Sequence, residues 1–173
     1  QKLNIILKMI NPTMPNEMDE NHNIILILNK ILLNIRNIEK LHTFAENSSY
    51  EKQDFFKNQI QLKKDQLHTF AKNGFHEIRE YFKSPIELKK GYVTTFQKNN
   101  GIPLIINFMD TFQDNAFITL EICAILANLC FNVDADANRE IINRYNGITL
   151  ICNRILVHND NIGFLSVACA ALY

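Results

Sequence analysis

The residues best suited to chemistry are five histidines and four cysteines, because these side chains bind metals and exchange protons near neutral pH. His68 and His76 are eight residues apart, roughly one face of a helix, but no third ligand stands near them. The sequence at 41–45 recurs at 67–71 and pairs His42 with His68. We favour chance reuse of an amphipathic turn, or an old helix duplication, over a paired-histidine metal site.

Motifs for other catalytic chemistry are missing from the sequence. It contains neither a Gly-x-x-x-x-Gly-Lys phosphate loop nor a nucleophile elbow. Asp134 and Asp136 lie in a polar segment, and we interpret them as turn formers rather than calcium ligands. The sequence therefore predicts a protein that is not an enzyme and that needs no cofactor or metal.

The charge and hydropathy patterns narrow the class of partner. The 18 basic and 18 acidic residues cancel, so no global field attracts nucleic acid or an anionic membrane. Lysines on the helix predicted over 50–83 are interleaved with the acids Asp65, Glu77 and Glu80, which is typical of a solvated helix face. The longest apolar runs, such as 24–28, are far shorter than the roughly 18 residues of a membrane span. We therefore predict a protein partner, with neither nucleic-acid binding nor membrane insertion.

The four cysteines bear on the redox state of the compartment in which the protein is expected. All lie in predicted apolar helices, where a free thiol behaves as a small hydrophobic group. They are Cys123, Cys130, Cys152 and Cys169. We predict buried, reduced thiols, and with no recognisable secretory leader this indicates a cytoplasmic location.

Helical spacing of apolar residues extends over nearly the whole chain and predicts an all-α fold. We expect a short helix over 3–10, ended by the prolines that follow it, and a second helix from a cap at Asn16 or Asp19 to about Ala45. A third helix is predicted over 50–83, where Ser84-Pro85 ends it.

From Gly101 onward the chain carries one sequence block twice, at an offset of 46 residues. Gly101 aligns with Gly147, Asn115 with Asn161, and Cys123 with Cys169. Each copy predicts a short helix, a tight turn at the glycine, a second helix, a polar turn and a longer third helix. We expect the glycines to adopt positive φ and Asp114-Asn115 and Asp160-Asn161 to cap the third helices. A period of about 40 to 50 residues is typical of stacked helical units.

Residues 101–109, 124–130 and 138–142 resemble the armadillo repeat family. They match its Gly-Ile-x-x-Leu helix, its Ala-x-x-Leu-x-Asn-Leu helix and its short Asn-x-x-x-Ile helix. The resemblance implies an α-solenoid of three-helix repeats over 86–173, after an irregular N-terminal helical segment over 1–85 made of divergent repeats or a cap. Related two-helix repeats are the alternative. Because the second copy stops before its own Asn-Leu pair, we expect the repeats to be truncated at the C-terminal end and the chain to be a fragment.

In armadillo proteins the third helices line a concave groove that holds extended peptides, and the resemblance implies a partner-binding surface on the third helix here. Its residues are Phe117, Glu121, Ala124, Asn128 and Asn132. Asn128 matches the asparagine that bonds the ligand backbone in the family, although it could instead satisfy backbone groups between helices. Nuclear-import adaptors carry a Trp where this chain has Ala124. Since the chain contains no Trp, binding of basic localisation signals is not expected.

These patterns predict a protein–protein interaction scaffold that binds a protein or an extended peptide through the groove. Two alternatives stay open. The layout is similar to that of diaphanous-type formins, which would make the N-terminal half a binding region for a small Rho-family GTPase. The repeats could also serve as a structural subunit of a cytoskeletal or ciliary assembly.

Overall fold

The computed structural model describes residues 20–83, 86–131 and 134–172. These residues form eight α-helices and no strand, so the prediction of an all-α fold is confirmed for this part of the chain. The helices are α1 (Glu20–Glu46), α2 (Tyr50–Lys83), α3 (Ile86–Lys98), α4 (Gly101–Thr111), α5 (Ala116–Cys130), α6 (Ala135–Arg144), α7 (Gly147–Val157) and α8 (Ile162–Leu172). The helix predicted over 3–10, the caps at Asn16 or Asp19 and the stop at Ser84-Pro85 lie outside the described residues.

Helices α1 and α2 form a long antiparallel hairpin. The stripe of isoleucine and leucine from Ile24 to Ile38 is buried against α2, and α2 has the bounds predicted for it. At 34 residues α2 is about 50 Å long. No side chain among residues 39–59, all of them described, is buried. The tip of the hairpin therefore stands clear of the core.

The next six helices form two triplets that we call the first unit (α3–α5) and the second unit (α6–α8). Helix α5 lies between α2 and α8 and contacts both, and α4 contacts α1 on one side and α7 on the other. Corresponding helices of successive groups therefore lie side by side. One continuous hydrophobic core runs through the hairpin and both units.

The turn before the second helix of each unit uses Asn-Gly in a way that corrects the prediction. The left-handed residues are Asn100 (φ 53°) and Asn146 (φ 59°), and the glycines after them have negative φ. Asparagine tolerates this region better than most residues. The glycines are needed for space. A Cβ at Gly101 would stand 2.5 Å from the Phe96 ring, and one at Gly147 would stand 2.6 Å from Ile142 Cγ2.

The predicted caps of the third helices are confirmed, and in both units the asparagine of the Asp-Asn pair makes the bond. Asn115 Oδ1 accepts from the backbone N–H of Ile118 at 3.1 Å, and Asn161 Oδ1 accepts from Phe164 at 3.0 Å. Each cap satisfies a backbone donor that the first turn of a helix leaves open. Residues 46 apart therefore repeat the same turn and the same cap.

The cysteines differ from the prediction in one respect. Cys123 and Cys130 are buried, but Cys152 and Cys169 are exposed. Burial raises the pKa of the Cys123 thiol to about 12 and also raises that of Cys130, because a thiolate is poorly solvated inside the protein. Cys169 and Cys123 occupy equivalent positions of the repeat. Their difference in exposure therefore depends on which helices pack against each unit.

Candidate functional site

The face of α5 that was predicted to bind a partner is only partly exposed. Phe117 is 41% exposed. Ala124 and Asn128 are half-buried, and Asn128 is already engaged in an interaction within the chain. Asn132 lies outside the described residues. Of the predicted residues that the structure describes, Phe117 is therefore the most exposed, and Ala124 and Asn128 are only partly accessible.

Glu121 is a correction. Its side chain is 2% exposed, because α2 packs along this side of α5. Glu121 Oε2 lies 3.1 Å from Arg79 Nη1, close enough for an ion pair although not aligned for a hydrogen bond, and Oε1 lies 3.4 Å from His76 Nδ1. A buried carboxylate is tolerated only beside such partners. Glu121 therefore joins α5 to α2 and is not an exposed contact.

A basic stripe on α2 borders the exposed end of α5. Its members are spaced three or four residues apart, which puts them on one face of the helix. They are His68, Lys72, His76, Arg79 and Lys83. Lys72 Nζ lies 4.3 Å from the centroid of the Phe117 ring, within the range of a cation–π contact. The two side chains form an exposed basic and aromatic pair between the two helices.

Sequence reasoning missed this pair because it treated the lysines of α2 as one solvated face. Lys57, Lys63 and Lys64 are indeed exposed, as that interpretation predicts. Lys72 is also exposed, but it lies over an aromatic ring of another helix. The signal that could have found it is the spacing of basic residues from 68 to 83, which are three or four residues apart and so share one face of α2.

Glu80, an acid beside the stripe, is hydrogen-bonded to it. Lys83 Nζ donates to Glu80 Oε1 at 2.7 Å. This bond, more than the nearby Arg79 guanidinium, keeps the pKa of Glu80 below its ordinary value. Arg79 is occupied by Glu121. The charge left to attract a partner is therefore centred on Lys72.

The histidines that were weighed as metal ligands have different surroundings. His68 lies edge-on to Phe112, with ring centroids 5.7 Å apart, His76 Nδ1 lies 3.4 Å from Glu121 Oε1, and His42 is exposed. In the part of the chain that the structure describes, no three His, Cys, Asp or Glu side chains are placed to hold a metal ion.

The third helices of the two units, α5 and α8, lie side by side and form a row. Gly163 and Ala170 stand where the first unit has Phe117 and Ala124, and both are exposed. Small residues leave the backbone of α8 accessible to a ligand. None of the helices described here is both long and apolar enough to cross a membrane.

Comparisons with protein-family models, with curated proteins and with solved structures found no match to this chain. A function can therefore be inferred only from its own residues and their geometry.

Proposed function

We propose that this chain is an armadillo-type helical stack that serves as a protein–protein interaction scaffold in the cytoplasm and has no enzymatic role. The observation that carries the proposal is the row of third helices. Helix α5 lies between α2 and α8, and residues 46 apart repeat the turns and caps that set this arrangement. Stacked repeats of this kind offer extended surfaces and hold partners rather than transform them.

The partner surface is the outward side of the row, around Lys72, Phe117, Ala124 and Asn128. An extended peptide presents backbone N–H and C=O groups, and the half-buried side chain of Asn128, a residue that already takes part in an interaction within the chain, carries both kinds of complementary group. Ala124 leaves room for a side chain where a larger residue would fill the groove. Lys72, backed by the Phe117 ring, favours an acidic residue at this point of the peptide.

The experiment is selection of short linear peptides from a display library on the whole chain. Acidic peptides should be enriched, and Phe117→Ala and Asn128→Ala should each weaken their binding about tenfold, which corresponds to about 1.4 kcal/mol. Asn143→Ala, at an exposed position of α6, is the control and should bind like the parent chain. Lys72→Glu should shift the selection toward basic peptides. Peptides that bind all these variants equally well would show that the row is not the binding surface.

A second candidate concerns the hairpin tip, which fits the expectation that the N-terminal half binds a small GTPase. Four large apolar side chains are exposed near it. They are Phe44, Tyr50, Phe55 and Leu62. A shallow cavity of about 450 Å³ lies beside them between α1 and α2. The test is binding of Rho-family GTPases in their GTP-loaded and GDP-loaded forms. Equal binding of both forms, or of neither, would exclude this role.

A further inference from the structure

Of the described residues, an acid and an arginine are buried, and the two differ in what surrounds them. Glu121 is 2% exposed, and its two oxygens lie near cations, with Arg79 Nη1 at 3.1 Å and His76 Nδ1 at 3.4 Å. Arg154, on α7, is 6% exposed. None of the ion pairs within 20–83, 86–131 and 134–172 includes Arg154, so no carboxylate of these residues lies at ion-pair distance from it.

The hydrogen bonds of Arg154 satisfy only part of its guanidinium. This group carries five N–H donors in a planar fork and is always positively charged. Nη1–H donates to Gln113 Oε1 at 3.2 Å, and the buried Nε–H meets no acceptor in the described part of the chain. The amide of Gln113 is neutral. Arg154 is therefore a buried cation beside a neutral partner, which is the costly form of a buried charge.

Helix ends do not supply the missing negative charge. Gln113 lies in the turn that follows the end of α4 at Thr111 and precedes the start of α5 at Ala116. A helix has a partial negative charge at its C-terminal end and a partial positive charge at its N-terminal end, so this turn places one of each side by side. Arg154 lies in the last turn of α7, where a cation is favoured only by a partial charge.

The first unit shows that a charge is not needed at this position of the repeat. The counterpart of Arg154, 46 residues earlier, is Phe108, which is 1% exposed and packs edge-on to Phe75. An apolar side chain at this place therefore completes the core of a unit. Apolar groups of similar size often replace buried charged ones without loss of stability. The guanidinium of Arg154 thus adds a recognition group rather than stability.

Gln113 lies against the guanidinium and is free to rotate. It is exposed, in the turn between α4 and α5, and exposed side chains change rotamer rapidly. Its backbone is held separately, because its carbonyl oxygen accepts from His158 Nε2–H at 3.0 Å. Rotation of the Gln113 side chain would therefore free Nη1–H of Arg154 and leave the backbone contact between the units intact.

We propose that Arg154 is an oxyanion-binding residue and that Gln113 Oε1 takes the place of an anion oxygen. The ligand class is a carboxylate or a phosphate, because the planar fork of arginine donates two parallel N–H bonds to either. Its source is an acidic side chain of a partner or a free phosphate ion. The site belongs to the junction between the two units and does not depend on Lys72 or on the peptide surface proposed above.

The first test observes the guanidinium directly. The Nε–H signal of Arg154 in the isotope-labelled whole chain is assigned by its loss in Arg154→Lys. The chain is then titrated with inorganic phosphate or with a blocked tetraglutamate peptide, against chloride at equal ionic strength. We expect a saturable shift with at least one of the two probes and none with chloride. The signal of Arg144, which is exposed and already paired with Glu140, is the control and should not saturate.

The two probes distinguish the source of the anion. A saturable shift with the peptide alone would identify an acidic side chain of a partner, and one with phosphate alone would identify a free ion. No saturable shift with either probe would overturn the proposal.

Two substitutions of Gln113 test the same site while Arg154 is kept. Gln113→Glu puts a carboxylate of the chain itself beside the guanidinium, so the midpoint of thermal unfolding should rise and the response to both probes should be lost. Gln113→Ala removes the neutral acceptor and should tighten binding of the responding probe severalfold. A Gln113→Glu chain that has a lower midpoint, or that binds the probes as before, would contradict the assignment.

Arg154→Met separates recognition from packing. Methionine has a similar length without the charge, so the midpoint of unfolding should be equal or higher, while binding of the probes should weaken about tenfold or more. A midpoint well below that of the parent chain would assign Arg154 to the packing of the junction and overturn the proposal.

Discussion

The chain joins its helical groups through two junctions that share a geometry and differ in chemistry. The first junction, between α2 and the first unit, is aromatic. Its ring centroids lie 5.1 to 6.2 Å apart in the pairs Tyr81–Tyr92, Phe82–Phe96, Phe75–Phe108 and Phe75–Phe112. It is held by area and edge-to-face contacts, together with the buried Glu121 carboxylate beside Arg79 and His76.

The second junction, between the two units, adds hydrogen-bonded polar side chains to the continuous apolar core. The counterparts of the four first-unit aromatic residues, 46 residues later, are Asn138, Ile142, Arg154 and His158. Asn138 accepts from Gln97 Nε2 at 2.7 Å and donates to the carbonyl of Leu129 at 2.9 Å. Arg154 donates to Gln113 Oε1 at 3.2 Å.

The comparison of the two junctions shows which features the two units share and which differ between them. The Asn-Gly turn and the asparagine cap are the same in both units, because backbone geometry requires them. The side chains between groups change from aromatic to hydrogen-bonded. Directional bonds are lost when a neighbour is displaced, whereas apolar surfaces tolerate small shifts.

The largest expected effect is at the first junction. Phe75→Ala removes a fully buried ring that contacts two others, so the free energy of unfolding should fall by about 3 to 5 kcal/mol. Denaturant unfolding measures it. Phe55→Ala, at a ring that is 60% exposed on the hairpin tip, is the control and should change stability by less than about 0.5 kcal/mol. Similar losses for both would contradict an aromatic core at this junction.

At the second junction the expected loss is smaller. Asn138→Ala leaves the amide of Gln97 and the carbonyl of Leu129 without their partner, which should cost about 1 to 3 kcal/mol of unfolding free energy. Asn143→Ala, on the same helix but exposed, should be nearly neutral. Equal stability of the two variants would show that the polar bonds do not hold this junction.

Substitution of the left-handed asparagine should change stability by the same amount in both units. Asn100→Ala and Asn146→Ala each place in the left-handed region a residue that lacks the short polar side chain by which asparagine tolerates this region, at a cost of about 1 kcal/mol. Asn→Gly at the same positions should be neutral or slightly stabilising. Thermal unfolding of the four variants measures this, and a large difference between positions 100 and 146 would argue against a shared turn.

The effect that is smallest near neutral pH is a pH dependence from Cys123. Its pKa is about 12 in the folded chain, against an ordinary value of 9.0. Above pH 9 the unfolded chain loses this proton while the folded chain keeps it, so the free energy of unfolding should fall as pH rises toward 12. Cys123→Ala should remove this contribution. If the slope with pH is the same in both, the Cys123 thiol does not contribute to it.

Features set by local sequence could be predicted. The bounds of α2, the two asparagine caps and the 46-residue equivalence follow from apolar spacing and from residue types that act within a few positions. Features set by neighbours could not. Spacing placed Glu121 on the face of Asn128, but only the packing of α2 shows that it is buried. Cys152 and Cys169 occupy apolar helices as predicted, yet both are exposed, because no helix of the described residues covers that side of the second unit.

The central position of α5 has a consequence for how the chain opens. Its neighbours on both sides must separate before its backbone hydrogen bonds reach solvent, whereas the tip of the hairpin can fray alone. Amide hydrogens near Ile122 and Ile125 should therefore exchange with deuterium only through the largest openings, and those of residues 39–59 should exchange through small local ones. Local stability would then rise from the hairpin tip toward the middle of the stack.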